Sequence, residues 1–219
     1  MVSAIVTAAG KNRRMLEDLK ARRLPIKNKL LLELGEKPVI VRTIENVLKT
    51  RVNRCIVVLG HYSEDIQPVI EQIGDDRISI VKNPQVNVQL SQSLYNGVLN
   101  VENELCLCLA ADQPSVTSNT MTNLIRKANE FDKPENIVSI MGRGEYGFLE
   151  TVKGLGMPFV CHSKTLKKYL YNKKSNLNPI LTEMITNGVI FYGLKPVNLL
   201  ELVNINRYDD YLRIKNYEE

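Results

Sequence analysis

Five short apolar runs constrain this chain more than any other feature: SAIVTA (3–8), RCIVVLG (54–60), RISIVK (77–82), LCLCLAA (105–111) and NIVSIM (136–141). Each is too short for a buried helix, and each is apolar at consecutive rather than alternate positions. That pattern predicts strands covered on both faces, which is the habit of parallel sheets. The intervening segments have helical spacing. PVIVRTIENVLK (38–49) opens on Pro38 and places apolar residues at 40, 41, 44, 47 and 48. SEDIQPVIEQIG (63–74) reads as a helix with Ser63 as cap and Gly74 as stop, despite Pro68. QSLYNGV (92–98) reads as a short helix, and SNTMTNLIRKANEF (118–131) as one capped near Ser118. Strands alternating with helices predict an α/β fold of three layers, Rossmann-like, with a mainly parallel central sheet and helices on both faces.

The C-terminal third is less regular. GRGEYGFLETVKGLGMPFVCHS (142–163) is glycine-rich and is expected to wrap the active face. NPILTEMITNG (178–188) has the marks of a helix with Asn178 as cap, Pro179 in the first turn and Gly188 as stop. VIFYGL (189–194) reads as an edge strand and RYDDYLRIKNYEE (207–219) as a terminal helix. A length of 219 residues suits one domain spanning 1–219, and 44% apolar residues supply its core. No apolar run reaches the roughly 18 residues of a membrane span. The N-terminus lacks a charged segment before its apolar run, so no secretory signal is expected. These readings predict a cytoplasmic protein without a membrane partner.

The net charge of +5 is mild, but its distribution is not. Lys11, Arg13, Arg14, Lys20, Arg22, Arg23, Lys27 and Lys29 fall in one stretch against only Glu17 and Asp18. Such a concentration predicts a polyanionic ligand. Aromatic residues are not interleaved with it and no nucleic-acid motif is present, so nucleic acid is not the expected partner. Cys55, Cys106, Cys108 and Cys161 do not make a disulfide framework at this length. Cys106 and Cys108 share a face of a strand. With no second pair at ligand spacing, they read as small core residues rather than a metal or redox pair.

In parallel α/β sheets, ligands bind beyond the carboxyl ends of the strands. After the first strand comes AAGKNRR (8–14). Small residues let the backbone approach a ligand, its N–H groups can point at phosphates, and Arg14 and Lys29 can neutralise them. Neither G-x-G-x-x-G nor G-x-x-x-x-G-K-[ST] is present, which disfavours a Rossmann hydride enzyme and a P-loop ATPase. After the fourth strand comes ADQPS (111–115), where Asp112 is placed either to hold a divalent cation or to cap a turn. In NPQVNVQLSQSLYNGV (83–98), Ser91 and Ser93 can each bond a base edge or cap the helix. Near the C-terminus, Asn204 and Asn206 share a face if extended. Their amide oxygens can complete a Mg²⁺ shell, or Asn206 can cap the last helix.

Taken in order, these stretches resemble the MobA/MocA-type nucleotidyltransferase family, nearest its molybdenum cofactor cytidylyltransferase branch. The family's L-A-A-G-x-S-x-R-M is similar to TAAGKNRRM, with Asn12 for serine. K-L-L-L-P-L-G-x-K-P is similar to KLLLELGEKP (29–38), N-P-x-W-x-x-G-x-x-x-S-L to NPQVNVQLSQSL (83–94), G-D-Q-P to ADQP, and D-I-D-T-P-E-D-Y to NINRYDDY (204–211). The chain departs from the family in an insert, LEDLKARRLPIKN (16–28), in Gln89 for glycine and Val86 for an aromatic, and in asparagines for the C-terminal aspartates. KSNLNP (174–179) stands where S-G-D-x-G is usual.

The resemblance implies a nucleotidyltransferase fold with an NTP-binding half at about 1–115 and an acceptor-side half at about 116–219. By it, Ala8, Ala9, Gly10, Lys11 and Asn12 wrap the nucleotide. Arg14 and Lys29 bind the triphosphate, Leu90, Ser91 and Ser93 line the base, and Asp112 holds Mg²⁺ with Asn204 or Asn206. The implied reaction joins a nucleoside monophosphate to a phosphorylated acceptor with release of pyrophosphate. CTP is the favoured donor, because Ala9 stands where guanylyl enzymes carry glycine, and molybdopterin is the favoured acceptor, with a molybdoenzyme or chaperone as recipient. The alternatives are a guanylyltransferase acting on molybdopterin or a corrinoid phosphate, a sugar- or polyol-phosphate nucleotidyltransferase, and a carrier without turnover. The basic insert, short of carboxylates within itself, is expected to be mobile until an anion arrives.

Overall fold

The computed structural model describes residues 1–218; Glu219, the last residue of the expected terminal helix, lies outside them. Ten strands form: β1 (Val2–Ala8), β2 (Glu33–Leu34), β3 (Lys37–Pro38), β4 (Arg54–Leu59), β5 (Ile78–Lys82), β6 (Leu105–Ala110), β7 (Ile137–Met141), β8 (Gly147–Phe148), β9 (Phe159–His162) and β10 (Ile190–Leu194). They alternate with helices α1 (Arg13–Ala21), α2 (Val39–Leu48), α3 (Ser63–Glu71), α4 (Leu90–Val98), α5 (Ser118–Asn129), α6 (Ser163–Leu170), α7 (Leu177–Thr186) and α8 (Tyr208–Glu218). β2 and β3 pair as a small hairpin. The other eight make one sheet in the order β5-β4-β1-β6-β9-β7-β10-β8. All of its pairings are parallel except those of β9, antiparallel to both β6 and β7, and of β8, antiparallel to β10.

Each central strand divides its side chains between two cores, as consecutive apolar residues require. Ala4, Val6 and Ala8 of β1 face a cluster built with α1, α2, α3, α5 and α8, where Met15, Ile44, Ile66, Leu124 and Ile214 are buried. Ile5 faces the opposite cluster with α4, α6 and α7, where Leu94, Leu166 and Leu181 are buried. The result is three layers. α4 lies so close to the sheet that a Cβ on Gly97 would stand 2.6 Å from Ile5 Cγ2 and 2.9 Å from Val58 Cγ2. All four cysteines are buried and free. Burial pushes their thiols up, Cys55 to about 12, so they are packing residues rather than nucleophiles.

Several expectations need correction. PFVCHS holds a strand, β9, which enters the sheet antiparallel between β6 and β7. VIFYGL is not the edge, because the two-residue β8 lies outside it. α7 starts two residues earlier than read. Asn176 takes the cap position, while the Asn178 amide donates to Val152 O at 2.7 Å and Leu155 O at 3.2 Å. α5 starts at Ser118 as read, with the adjacent Thr117 as its cap, accepting from Thr120 N. Tyr62, not Ser63, holds the cap position of α3. Residues 16–21 of the insert lie in helix α1. Charged residues of the insert pair outside the segment: Arg22 with Asp209 at 2.7 Å, Lys27 with Glu33 at 3.1 Å, and Asp18 with Arg207 at 2.9 Å. No described helix is long and apolar enough to cross a membrane.

Candidate active site

β1 and β6 are neighbours, with Thr7 opposite Ala110, so the loops leaving them run side by side. These loops floor a cleft of about 780 Å³, within the range of small-molecule sites. Ala8, Ala9, Gly10, Lys11, Asn12, Arg14, Lys29, Leu90, Ser93, Asp112, Asn204 and Asn206 all line it. A Cβ on Gly10 would meet nothing within 4 Å, so this backbone opens directly onto the cleft.

α1 starts in this cleft, and it starts badly for a helix. Asn12 at its cap position is in the left-handed region (φ 59°) and makes no side-chain cap bond. Its Oδ1 is buried without a hydrogen-bond partner. The first turn has no acidic residue, while Lys11, Arg13 and Arg14 crowd an end that is already positive by its backbone. A helix terminus so arranged suits an anion against it.

Across the floor is a connected polar cluster. Lys29 Nζ lies 2.5 Å from Asp112 Oδ2 and 3.4 Å from Asn206 Oδ1. Arg14 Nη2 donates to the same Asn206 Oδ1 at 2.9 Å. Asn204 Nδ2 faces Asp112 Oδ1 at 3.4 Å, and Ile205 N donates to Asp112 O at 2.9 Å. The segment carrying the two asparagines is held by Glu201, a fully buried carboxylate that accepts from Thr117 N, both Thr117 and Thr120 hydroxyls, and Val197 N. Asn206 does not cap α8; its N–H and that of Arg207 instead donate to Asp210 Oδ2.

The two serines part company. Ser93 lines the cleft and accepts from Asn83 Nδ2 at 2.9 Å, with Asn96 bonding Asn83 in turn at 2.8 Å. Ser91, expected at the base, is fully buried away from the cleft. Its hydroxyl donates to Lys173 O and accepts from Ser175 N, so it pins the 173–175 turn to α4. Neither caps α4, whose first turn is closed by Gln92 Oε1 accepting from Gln89 N.

Two residues escaped sequence reasoning. Gln113, 1% exposed, accepts from Ala110 N and donates to Met157 O and Asn204 Oδ1, tying three walls of the cleft together. Arg143 lines the cleft two residues beyond β7, where the strand-end rule points, and its Nη1 donates to Leu202 O at 3.2 Å. No group of three His, Cys, Asp or Glu side chains that could hold a metal occurs among the described residues. Asp112 with the Asn206 amide oxygen, both held by Lys29, is the hard-oxygen set present. It fits Mg²⁺, which is commonly held by one or two carboxylates and completed by substrate phosphates.

The family model of the MobA-like NTP transferase domain matches residues 4–183, which contain the cleft residues 8–14, Lys29 and Asp112. The chain belongs to this family. A nucleotidyl transferase structure from Methanothermobacter thermautotroptrophicus is similar over 99% of this chain and 97% of that one, at 38% identity and a TM-score of 0.92. The bifunctional protein GlmU of Staphylococcus epidermidis is 21% identical over 95% of this chain, which spans only 43% of GlmU. Rv0371c of Mycobacterium tuberculosis H37Rv, crystallised with manganese, shares the fold at 16% identity and a TM-score of 0.65, over 98% of this chain and 97% of that one. The MobA-like family assignment and the three-layer nucleotidyltransferase fold agree with what the sequence motifs implied.

Proposed function

We propose that this MobA-like chain transfers a nucleoside monophosphate from an NTP to a phosphorylated acceptor and releases pyrophosphate. One observation carries the reading: the uncapped, cationic start of α1 and the Lys29–Asp112–Asn206 cluster open into the same cleft. Backbone and cations at Gly10, Lys11, Arg14 and Lys29 receive the triphosphate, and Asn12 Oδ1 accepts from the nucleotide's polar hydrogens. Asp112 and Asn206 Oδ1 hold Mg²⁺. Asn204 is a positioning residue, since its oxygen takes a bond from Gln113 and its nitrogen faces Asp112. Bound there, Mg²⁺ supplies positive charge to the triphosphate as pyrophosphate departs.

Leu90 and Ser93 line the base, Ser93 with a hydroxyl proton that no described residue accepts. The nucleotide lies against the half at about 1–115 and the acceptor against the half at about 116–219, where Arg143 presents the cleft's only cation from that half among the described residues. Positioning and charge are what phosphoryl chemistry asks of a protein, and the cleft provides both. CTP is the proposed donor, on the bulk of Ala9, and molybdopterin the proposed acceptor, with a molybdoenzyme or chaperone receiving the product. Four free cysteines support the reading of a reducing compartment such as the cytoplasm.

A guanylyl transfer to a corrinoid phosphate is the second reading, favoured by the asparagine pair at 204 and 206. Pyrophosphate release from each of the four NTPs, with molybdopterin or a corrinoid phosphate as acceptor, decides between them. The first reading expects release with CTP and molybdopterin. Release only with GTP and the corrinoid establishes the second.

A further inference from the structure

On the reading of Asp112 as a metal ligand, we infer that Lys29 closes the metal site until a triphosphate draws its ammonium away. Divalent metal then loads with or after the nucleotide and not before it. The oxygens that would receive the metal are those Lys29 already holds: Asp112 Oδ2 at 2.5 Å and Asn206 Oδ1 at 3.4 Å. An ammonium among hard oxygens stands in a cation's place. Asn206 Oδ1 is engaged a second time by Arg14 at 2.9 Å, and Asp112 Oδ1 faces the Asn204 amide.

The Lys29 and Asp112 side chains are each 13% exposed, so solvent screens the pair little. A metal ion arriving alone meets two cations and must evict Lys29 from its carboxylate. The cleft offers it only one other, Glu17, among the described residues. A triphosphate changes the balance, because it gives Lys29 an anion of its own and leaves Asp112 open. The backbone need not move for this. Lys29 begins a 3₁₀ turn fixed by Asn28 Oδ1, which accepts from Leu30 N at 2.9 Å, and by the buried Leu30. The exchange is a swing of a flexible four-carbon stem.

Mn²⁺ titration read by the electron paramagnetic resonance signal of the free ion tests the inference without turnover. In nucleotide-free protein, Lys29→Met should bind Mn²⁺ at least ten-fold more tightly than the wild type, and Lys29→Gln should repeat this if the first variant folds poorly. Arg14→Met, which removes a cleft cation not bonded to Asp112, should gain less than three-fold, and Lys29→Met with Asp112→Asn should lose the gain. Wild type binding free Mn²⁺ as tightly as Lys29→Met, or Arg14→Met gaining as much as Lys29→Met, overturns the gate. With the α,β-methylene analogue of CTP present, Asp112→Asn should reduce Mn²⁺ uptake. If it does not, the metal reading itself falls, and the gate falls with it.

Discussion

Asn12 breaks local rules in three ways at once: a left-handed backbone, an unused cap position and a buried oxygen without a partner. Such violations accumulate where a site is specified at the expense of the fold. Ala9, three residues earlier, is proposed to work by size. It packs against Gly60, where an added Cβ would stand 2.8 Å from the Ala9 Cβ, and it lines the cleft beside Ala8 and Gly10. A purine needs more room there than a pyrimidine. The wild type should therefore favour CTP over GTP, within the roughly 10–200-fold that one methyl group can supply. Ala9→Gly should shrink the ratio of the two kcat/KM values. An unchanged ratio would remove Ala9 from base selection. That residues 8–14 and Asp112 would lie together at one cleft was legible, because small, cationic and acidic residues stand at the ends of neighbouring strands. The difference between Ser91 and Ser93 was not, because the two lie on one short helix and only the 173–175 turn decides which is buried.

The elements that periodicity identifies are those with several apolar residues in register, such as α2 with five buried positions. β9 was missed because four residues in a glycine-rich stretch carry no period of their own; β6 and β7 on either side impose its pairing. α1 was missed because only Met15 and Leu19 face the core, among many cations. β9 ends on His162, which also caps α6: Lys164 N donates to its Nδ1 at 3.3 Å, a bond that needs that nitrogen unprotonated. Burial pulls the His162 pKa below its ordinary 6.5; nearby Lys164 adds to this and Glu135 opposes it. The folded state thus resists the proton more than the unfolded chain does. The stability this contributes is complete above about pH 6.5 and is lost as pH falls below it. Melting temperatures at pH 7.5 and 5.5 should differ more for the wild type than for His162→Asn, whose amide caps at both. Equal differences would show that His162 does not report on acid stability.

At the scale of the whole molecule, one sheet brings together residues that lie far apart in the sequence. β1 and β6 pair directly, so Gly10 and Asp112 become neighbours, and the segment after Glu201 returns to close the cluster with Asn206. Five cations (Lys11, Arg13, Arg14, Lys29 and Arg143) line the cleft against two carboxylates, Glu17 and Asp112. That imbalance suits a triphosphate on one side and a phosphorylated acceptor on the other. The central claim is that the α-phosphorus of the nucleotide moves to the acceptor while the β- and γ-phosphates leave together. Parallel reactions with CTP labelled at the α- or the γ-phosphorus, with molybdopterin as acceptor, test this directly. The account predicts α-label in the acceptor product and γ-label in pyrophosphate, with both signals down roughly 10²-fold or more in Asp112→Ala. Label from the γ-position in the acceptor or in inorganic phosphate, or full transfer by Asp112→Ala, would contradict it.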